Sequence, residues 1–173
     1  DHCGKYPVVF WTLKDIKESN WENCVARIKI VLAEEYSRHS YLLSGDSVTG
    51  QSRVDFENII NRSADISVYK NALKNLTGYL YNHYKQKVVV LIDEYDTPIH
   101  EAYERGYYTN IVDFLRAFLG TGLKDNPCIE RAVITGILRI SKESIFSDLN
   151  NFDVYTTLND KYSDKFGLTE NEV

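Results

Sequence analysis

Two adjacent acids, Asp93 and Glu94, and a third at Asp96 stand directly behind the apolar run Val88-Val89-Val90-Leu91-Ile92. Five β-favouring residues without polar alternation predict a strand buried on both faces, as at the centre of a parallel sheet. Such a strand delivers its trailing acids to the carboxyl end of the sheet, where open α/β sheets bind ligands. In nucleotide hydrolysis a first acid at that place holds Mg2+ through water and a second orients the attacking water. Asp93 is therefore the candidate metal residue and Glu94 the candidate catalytic acid. The plain alternative is a strand that ends in a solvated Asp-Glu pair.

The stretch has the form of a Walker B strand, yet the loop that grips phosphates, G-x-x-x-x-G-K-[ST], occurs nowhere in the 173 residues. Gly4-Lys5 is the only Gly-Lys pair, and Tyr6 follows where Ser or Thr is required. The chain has no Met and opens on Asp1, so an internal piece of a longer protein is expected. Two other chemistries fit the acids less well. A metal-dependent nuclease built on Asp93, Glu94 and Asp96 wants an E-x-K nearby. Asp15-Ile16-Lys17 has the D-x-K form but lies beyond the end of the first expected strand. Glycosidase carboxylates flank a substrate about 5–10 Å apart, whereas neighbours on a strand point to opposite faces.

The elements that must position these acids alternate between strand and helix. Residues 6–13 predict a first strand with Pro7 tolerated at its entry. Ser19 to Glu22 has the capping-box form S-x-x-E. Trp21, Val25, Ile28, Val31, Leu32 and Tyr36 follow at helical spacing, predicting a helix of about 16 residues. Val54, Phe56, Ile59 and Ile60 suggest a short helix after a mobile loop over residues 44–51. Leu73, Leu76, Leu80 and Tyr84 mark a helix that hands directly to the Val88 strand. Ile99, Ala102 and Tyr103 make a short helix ending near Gly106. Ile111, Phe114, Leu115, Phe118 and Leu119 form one face of a stronger helix, expected to stop at Gly120-Thr121-Gly122. A second buried strand is predicted over residues 131–136, continuing toward Ile137-Leu138-Arg139. Ile145, Phe146 and Leu149 then suggest a short helix, and residues 154–158 a last strand or extended segment. This order implies an α/β fold with a mostly parallel sheet.

Composition bounds the rest. One domain is the default for this length, and 43% hydrophobic with 26% charged residues is an ordinary globular balance. A net charge of −5 argues against a general nucleic-acid-binding surface, though an attached domain could still bind nucleic acid. No apolar run approaches the roughly 18–20 residues of a membrane span. Cys3, Cys24 and Cys128 form no C-x-x-C pair, and His2, His39, His83 and His100 show no H-x-x-x-H spacing. Neither a zinc site nor a disulfide framework is suggested, and thiols in a reducing cytoplasm are expected.

The combination resembles the AAA-ATPase-like family of P-loop proteins, which often carry a nuclease-like C-terminal domain. Three segments carry the resemblance. Gly4-Lys5-Tyr6-Pro7-Val8-Val9-Phe10-Trp11-Thr12-Leu13-Lys14 looks like the family's second core strand. Val90-Leu91-Ile92-Asp93-Glu94-Tyr95-Asp96-Thr97-Pro98-Ile99 is similar to its Walker B strand. Thr135-Gly136-Ile137-Leu138-Arg139-Ile140-Ser141, with residues 144–151, is similar to the strand and loop that sense the nucleotide. Lys124-Asp125-Asn126 and Phe166-Gly167-Leu168-Thr169 also fit.

The resemblance implies a P-loop NTPase core of the ASCE group without its first strand, with helices on both faces, over residues 1–173. It implies Mg2+ on Asp93, a lytic water polarised by Glu94, and for Asp96 either a supporting role behind those two acids or the anchoring of a loop. Thr135 would contact the γ-phosphate or water as a sensor, the alternative being a hydroxyl satisfied by backbone. Arg139 would stabilise phosphate charge, the alternative being a salt bridge to a nearby acid. Ser141, Ser144 and Asn150 read as turn and cap residues. ATP and Mg2+ are the implied cofactors of the full-length protein. The implied partner is the remainder of the chain, with its P-loop segment and C-terminal domain. In the ASCE group the P-loop strand lies beside the sensor strand. Its absence is expected to leave that strand with an unpaired edge, and to leave this chain with very weak affinity for ATP.

Overall fold

Three strands organise the chain: β1 (Val8–Thr12), β2 (Val88–Asp93) and β3 (Ile129–Ile134). They form one sheet in the order β1-β2-β3, with both pairings parallel. The computed structural model describes residues 4–137 and 152–156. Between β1 and β2 lie α1 (Trp21–Arg38), a 3-10 turn (Ser40–Ser44), α2 (Gly50–Ile60), α3 (Ile66–Lys70) and α4 (Ala72–Tyr84). Between β2 and β3 lie α5 (Thr97–Arg105) and α6 (Tyr108–Leu123). The architecture is α/β with an all-parallel three-stranded sheet, consistent with part of a P-loop-type core.

Register explains how the sheet is buried. Val9 aligns with Val90 and Ala132, and Trp11 with Ile92 and Ile134. These rows face Leu73, Leu76 and Leu80 of α4 and Ile111, Leu115 and Phe118 of α6 in one core. Trp11 meets Phe118 edge-on, ring centroids 5.3 Å apart. The alternate row, Phe10-Leu91-Val133, lies on the other face, and there Phe10 is 40% and Val133 51% exposed. The expectation that β2 is buried on both faces is met on one face only: Val88, Val90 and Ile92 are buried there, while Val89 and Leu91 on the other are half-buried. The reason is that the helices packed in the core lie against the Trp11 face. β3, expected to be buried, alternates between half-buried and exposed, because it is the edge strand of the described sheet.

Glu35 ties α1 to the outer edge of β1. Its Oε1 accepts the Phe10 backbone N–H at 2.9 Å, and the carboxylate also receives Arg38 and His39. An edge N–H that has no strand partner is satisfied by a buried acid instead.

Several boundaries differ from expectation. The N-cap of α1 is Asn20, whose Oδ1 accepts from the Asn23 N–H at 2.9 Å. Ser19 lies one residue too early for the capping box. The expected mobile loop is shorter than residues 44–51: Ser44 closes the 3-10 turn, Val48 is buried in the core, and α2 begins at Gly50. The short α3 was not expected. α6 runs through Gly120 and Gly122 to Leu123. Gly122 serves close packing there, since a Cβ would stand 2.5 Å from Leu73 Cδ2 on α4. β3 ends at Ile134, two residues early. Residues 152–156 contain neither helix nor strand. The suggested helix at Ile145, Phe146 and Leu149, the continuation through Leu138, and residues 157–158 lie outside the described residues.

Candidate functional site

β2 ends with Asp93 at the carboxyl edge of the sheet, and the flanking strands each supply a hydroxyl to it. Thr12, the register partner of Asp93 on β1, donates its Oγ1–H to Asp93 Oδ2 at 3.1 Å. Thr135, just past β3, donates to Asp93 Oδ1 at 2.6 Å. That length is typical of a hydroxyl bonded to a carboxylate. The acid is thereby held in a plane spanning all three strands. Backbone bonds fix the same edge: Leu13 N–H to Asp93 O at 2.9 Å and Thr135 N–H to Ile92 O at 2.9 Å.

The chain then turns sharply. Glu94 has φ +52°, a left-handed conformation that ends the strand and starts the turn into α5. Thr97 Oγ1 donates to Glu94 Oε2 at 3.1 Å. Both Glu94 and Asp93 are half-buried.

Asp96 occupies the N-cap position of α5 without capping it. Its buried carboxylate, 3% exposed, instead accepts the Ile137 N–H on Oδ2 at 2.9 Å. Tyr95 N–H adds a bond to Thr135 O at 3.1 Å. The acid therefore anchors the segment after β3 to the turn after β2. Gly136 makes the approach feasible: a Cβ there would lie 2.6 Å from Asp96 Oδ1 and 2.7 Å from Tyr95 Cε1.

Of the residues singled out from sequence, Asp93, Glu94, Asp96 and Thr135 converge at this edge. The Thr135 hydroxyl is bonded to Asp93 and not to backbone. Arg139 lies outside the described residues, as do Ser141, Ser144 and Asn150. Thr12 and Gly136 were not singled out for the site. A signal for Thr12 was present, as it is the first polar residue after the apolar run of β1, matching Asp93 after that of β2.

Among the described residues no group of three or more His, Cys, Asp or Glu is arranged to hold a metal ion. Mg2+ does not require such a cage. It keeps several waters and commonly binds one or two carboxylates together with substrate phosphates. Asp93 is a hard oxygen donor with lone pairs left after two hydroxyl bonds, so the donor set fits Mg2+ carried on a nucleotide and fits a free-standing cation poorly. Cys24 and Cys128 are both free thiols, and no described helix is long and apolar enough to cross a membrane.

An all-parallel three-stranded sheet with helices defines an α/β protein, consistent with part of a P-loop-type core. The sequence profile described as "Predicted AAA-ATPase" (AAA-ATPase-like) matches residues 1–146, and the chain belongs to that family. It is also 36% identical, over 89 residues, to a protein of Azotobacter chroococcum mcd 1 described as "Uncharacterized protein in vnfD 5'region". That match covers 51% of this chain and 17% of the relative, so the chain corresponds to a small part of the relative's length. No solved structure matches.

Proposed function

We propose that this chain is the hydrolytic half of an ATP-binding and ATP-hydrolysing module, completed by a phosphate-gripping loop supplied from outside these residues. The observation that carries this reading is the placement of Asp93, oriented by Thr12 and Thr135, beside Glu94 at the end of the central strand. Asp93 would hold Mg2+ through water, and the cation would neutralise charge on the β- and γ-phosphates. Glu94 polarises the attacking water and accepts its proton, a role that requires it to lie within one hydrogen bond of that water. Its bond to Thr97 shows the carboxylate as an acceptor of a hydroxyl, the same interaction a water would make.

Arg139 is assigned to the phosphates as a charge-assisted donor. Thr135 is assigned to the nucleotide-facing end of β3. Asp96 and Gly136 keep that end in place. Among the described residues Cys24 and Cys128 are free thiols, Cys24 buried, which suits a protein that works in the cytoplasm. The remainder of its own chain is the first partner, and nucleic acid would be engaged through an attached domain.

The deciding experiment is MgATP turnover by the full-length protein, wild type beside Glu94→Gln. Turnover should fall ~10²–10⁴-fold, the range for losing a general base, while nucleotide binding persists. Absence of turnover in the wild type, with candidate partners added, would identify a non-catalytic binding or scaffold module in which Asp93 and Glu94 are only strand-end acids.

A further inference from the structure

Thr135 has one hydroxyl proton, and the structure commits it to Asp93. A threonine hydroxyl offers a single donor and two lone pairs, and that donor lies 2.6 Å from Asp93 Oδ1. While that bond stands, Thr135 cannot donate to a phosphate oxygen. Thr12 uses its own proton in the same way on Oδ2, at 3.1 Å. The two bonds come from opposite neighbours of β2, so the carboxylate cannot rotate about its side chain without breaking one of them.

We propose that Thr12 and Thr135 act together as a hydroxyl clamp that presets the Asp93 carboxylate for hydrated Mg2+, making both of them positioning residues. This rests on the nucleotide-hydrolysis reading above and adds to it a role for Thr12 and a different role for Thr135. The physical gain is preorganisation. An acid held in one plane loses little rotational freedom on meeting the cation. The lone pairs left on Asp93 and on the two hydroxyls are all acceptors. They suit the outward-pointing hydrogens of metal-bound water, not the oxygens of a phosphate. β-Branched threonine is apt for the task, since branching at Cβ restricts χ1.

Valine replaces threonine with nearly the same shape and strand preference, which separates loss of the hydroxyl from loss of the fold. The experiment uses full-length wild type, Thr12→Val, Thr135→Val, the double variant, and the serine variants Thr12→Ser and Thr135→Ser. Mn2+ serves as the metal probe, its binding followed by electron paramagnetic resonance in the presence of a non-hydrolysable ATP analogue. Analogue binding without metal is measured alongside. Each valine variant should weaken Mn2+ binding about tenfold, the scale of one hydrogen bond to a charged group. Metal-free analogue binding should be unchanged, and serine should restore the metal affinity. The double variant should lose less than the product of the two single losses, because the hydroxyls share one carboxylate.

Unchanged Mn2+ binding in both valine variants, with wild type binding normally, would overturn the clamp alone. So would a Thr135→Val protein that loses preference for ATP over ADP while Thr12→Val behaves as wild type, for that is the signature of a phosphate sensor. A wild type that binds no metal–nucleotide complex overturns the functional reading, and the clamp with it.

Discussion

Glu94 holds a left-handed backbone, φ +52°, which costs an L-residue roughly 1–2 kcal/mol. Strain of this kind persists where the surroundings over-determine it, commonly at sites of chemistry. Glycine at this position would relieve it, although glycine loses about 0.5–1 kcal/mol through its freer unfolded chain. Glu94→Gly should therefore leave stability unchanged or raise it by up to about 1.5 kcal/mol, read from the urea midpoint, while turnover drops as far as in Glu94→Gln. A marked loss of stability would mean that the acid is structural. Gly136 presents the reverse case. An alanine Cβ at that position would collide with Asp96 and Tyr95, and Gly136→Ala should cost about 1–3 kcal/mol, as overpacking does. An unmoved midpoint would show that the end of β3 is not strapped to Asp96 as described.

At the scale of elements, helix ends give sharp comparisons. Asn20 caps α1 through its side chain, so Asn20→Ala should cost ~0.5–2 kcal/mol, and Ser19→Ala close to nothing. Equal effects would restore the capping box read from S-x-x-E. Lys85 ends α4 in the left-handed region, φ +53°, with its N–H on Tyr81 O at 2.8 Å. Glycine is the usual residue at such a cap. Lys85→Gly should leave stability unchanged or raise it by up to about 1.5 kcal/mol, the excess of the left-handed cost over the entropy of glycine. A fall in the midpoint would count against this cap. Lys85 precedes the amino end of β2, opposite the carboxylate edge, so Lys85→Gly should not alter turnover.

Over the whole molecule, buried acids that must stay protonated set an upper pH limit. Burial pushes the Cys24 thiol up from 9.0 to about 11, with Tyr107 as a hydrogen-bonding neighbour. Burial likewise pushes the Tyr107 hydroxyl up from 10.0 to about 12. In each case the unfolded form loses its proton first as pH rises, so unfolding is favoured in that window. The stability that depends on Cys24 should be intact below pH 9.0 and lost progressively toward about 11. Cys24→Ala should flatten the slope of the urea midpoint against pH in that interval; an unchanged slope would assign the base sensitivity elsewhere. The other molecular property concerns nucleotide affinity. Without G-x-x-x-x-G-K-[ST], this chain by itself should bind MgATP very weakly, because the backbone N–H cradle and its lysine hold most of the phosphate charge. Calorimetry giving a low-micromolar affinity would sink that expectation.

Local pattern made much of this legible. Helical spacing located α1, α4 and α6, the left-handed Gly106 marked the end of α5, and the apolar run before Asp93 announced the central strand. Each signal is written in neighbouring residues, because side-chain period and cap chemistry are local physics. The partners of Asp93 are of another kind. Thr12 is separated from it by 81 positions and Thr135 by 42. Their meeting depends on strand order and on a register in which one slipped residue would turn every side chain to the other face. The same holds for Glu35 against the Phe10 N–H, for Gly136 against Asp96, and for the sheet face that leaves Phe10 and Val133 in solvent. Sequence alone determined which residues could do the chemistry and which elements carry them. Only the tertiary structure decided which of those residues touch, since contact across a sheet is set by pairing between strands far apart in the chain.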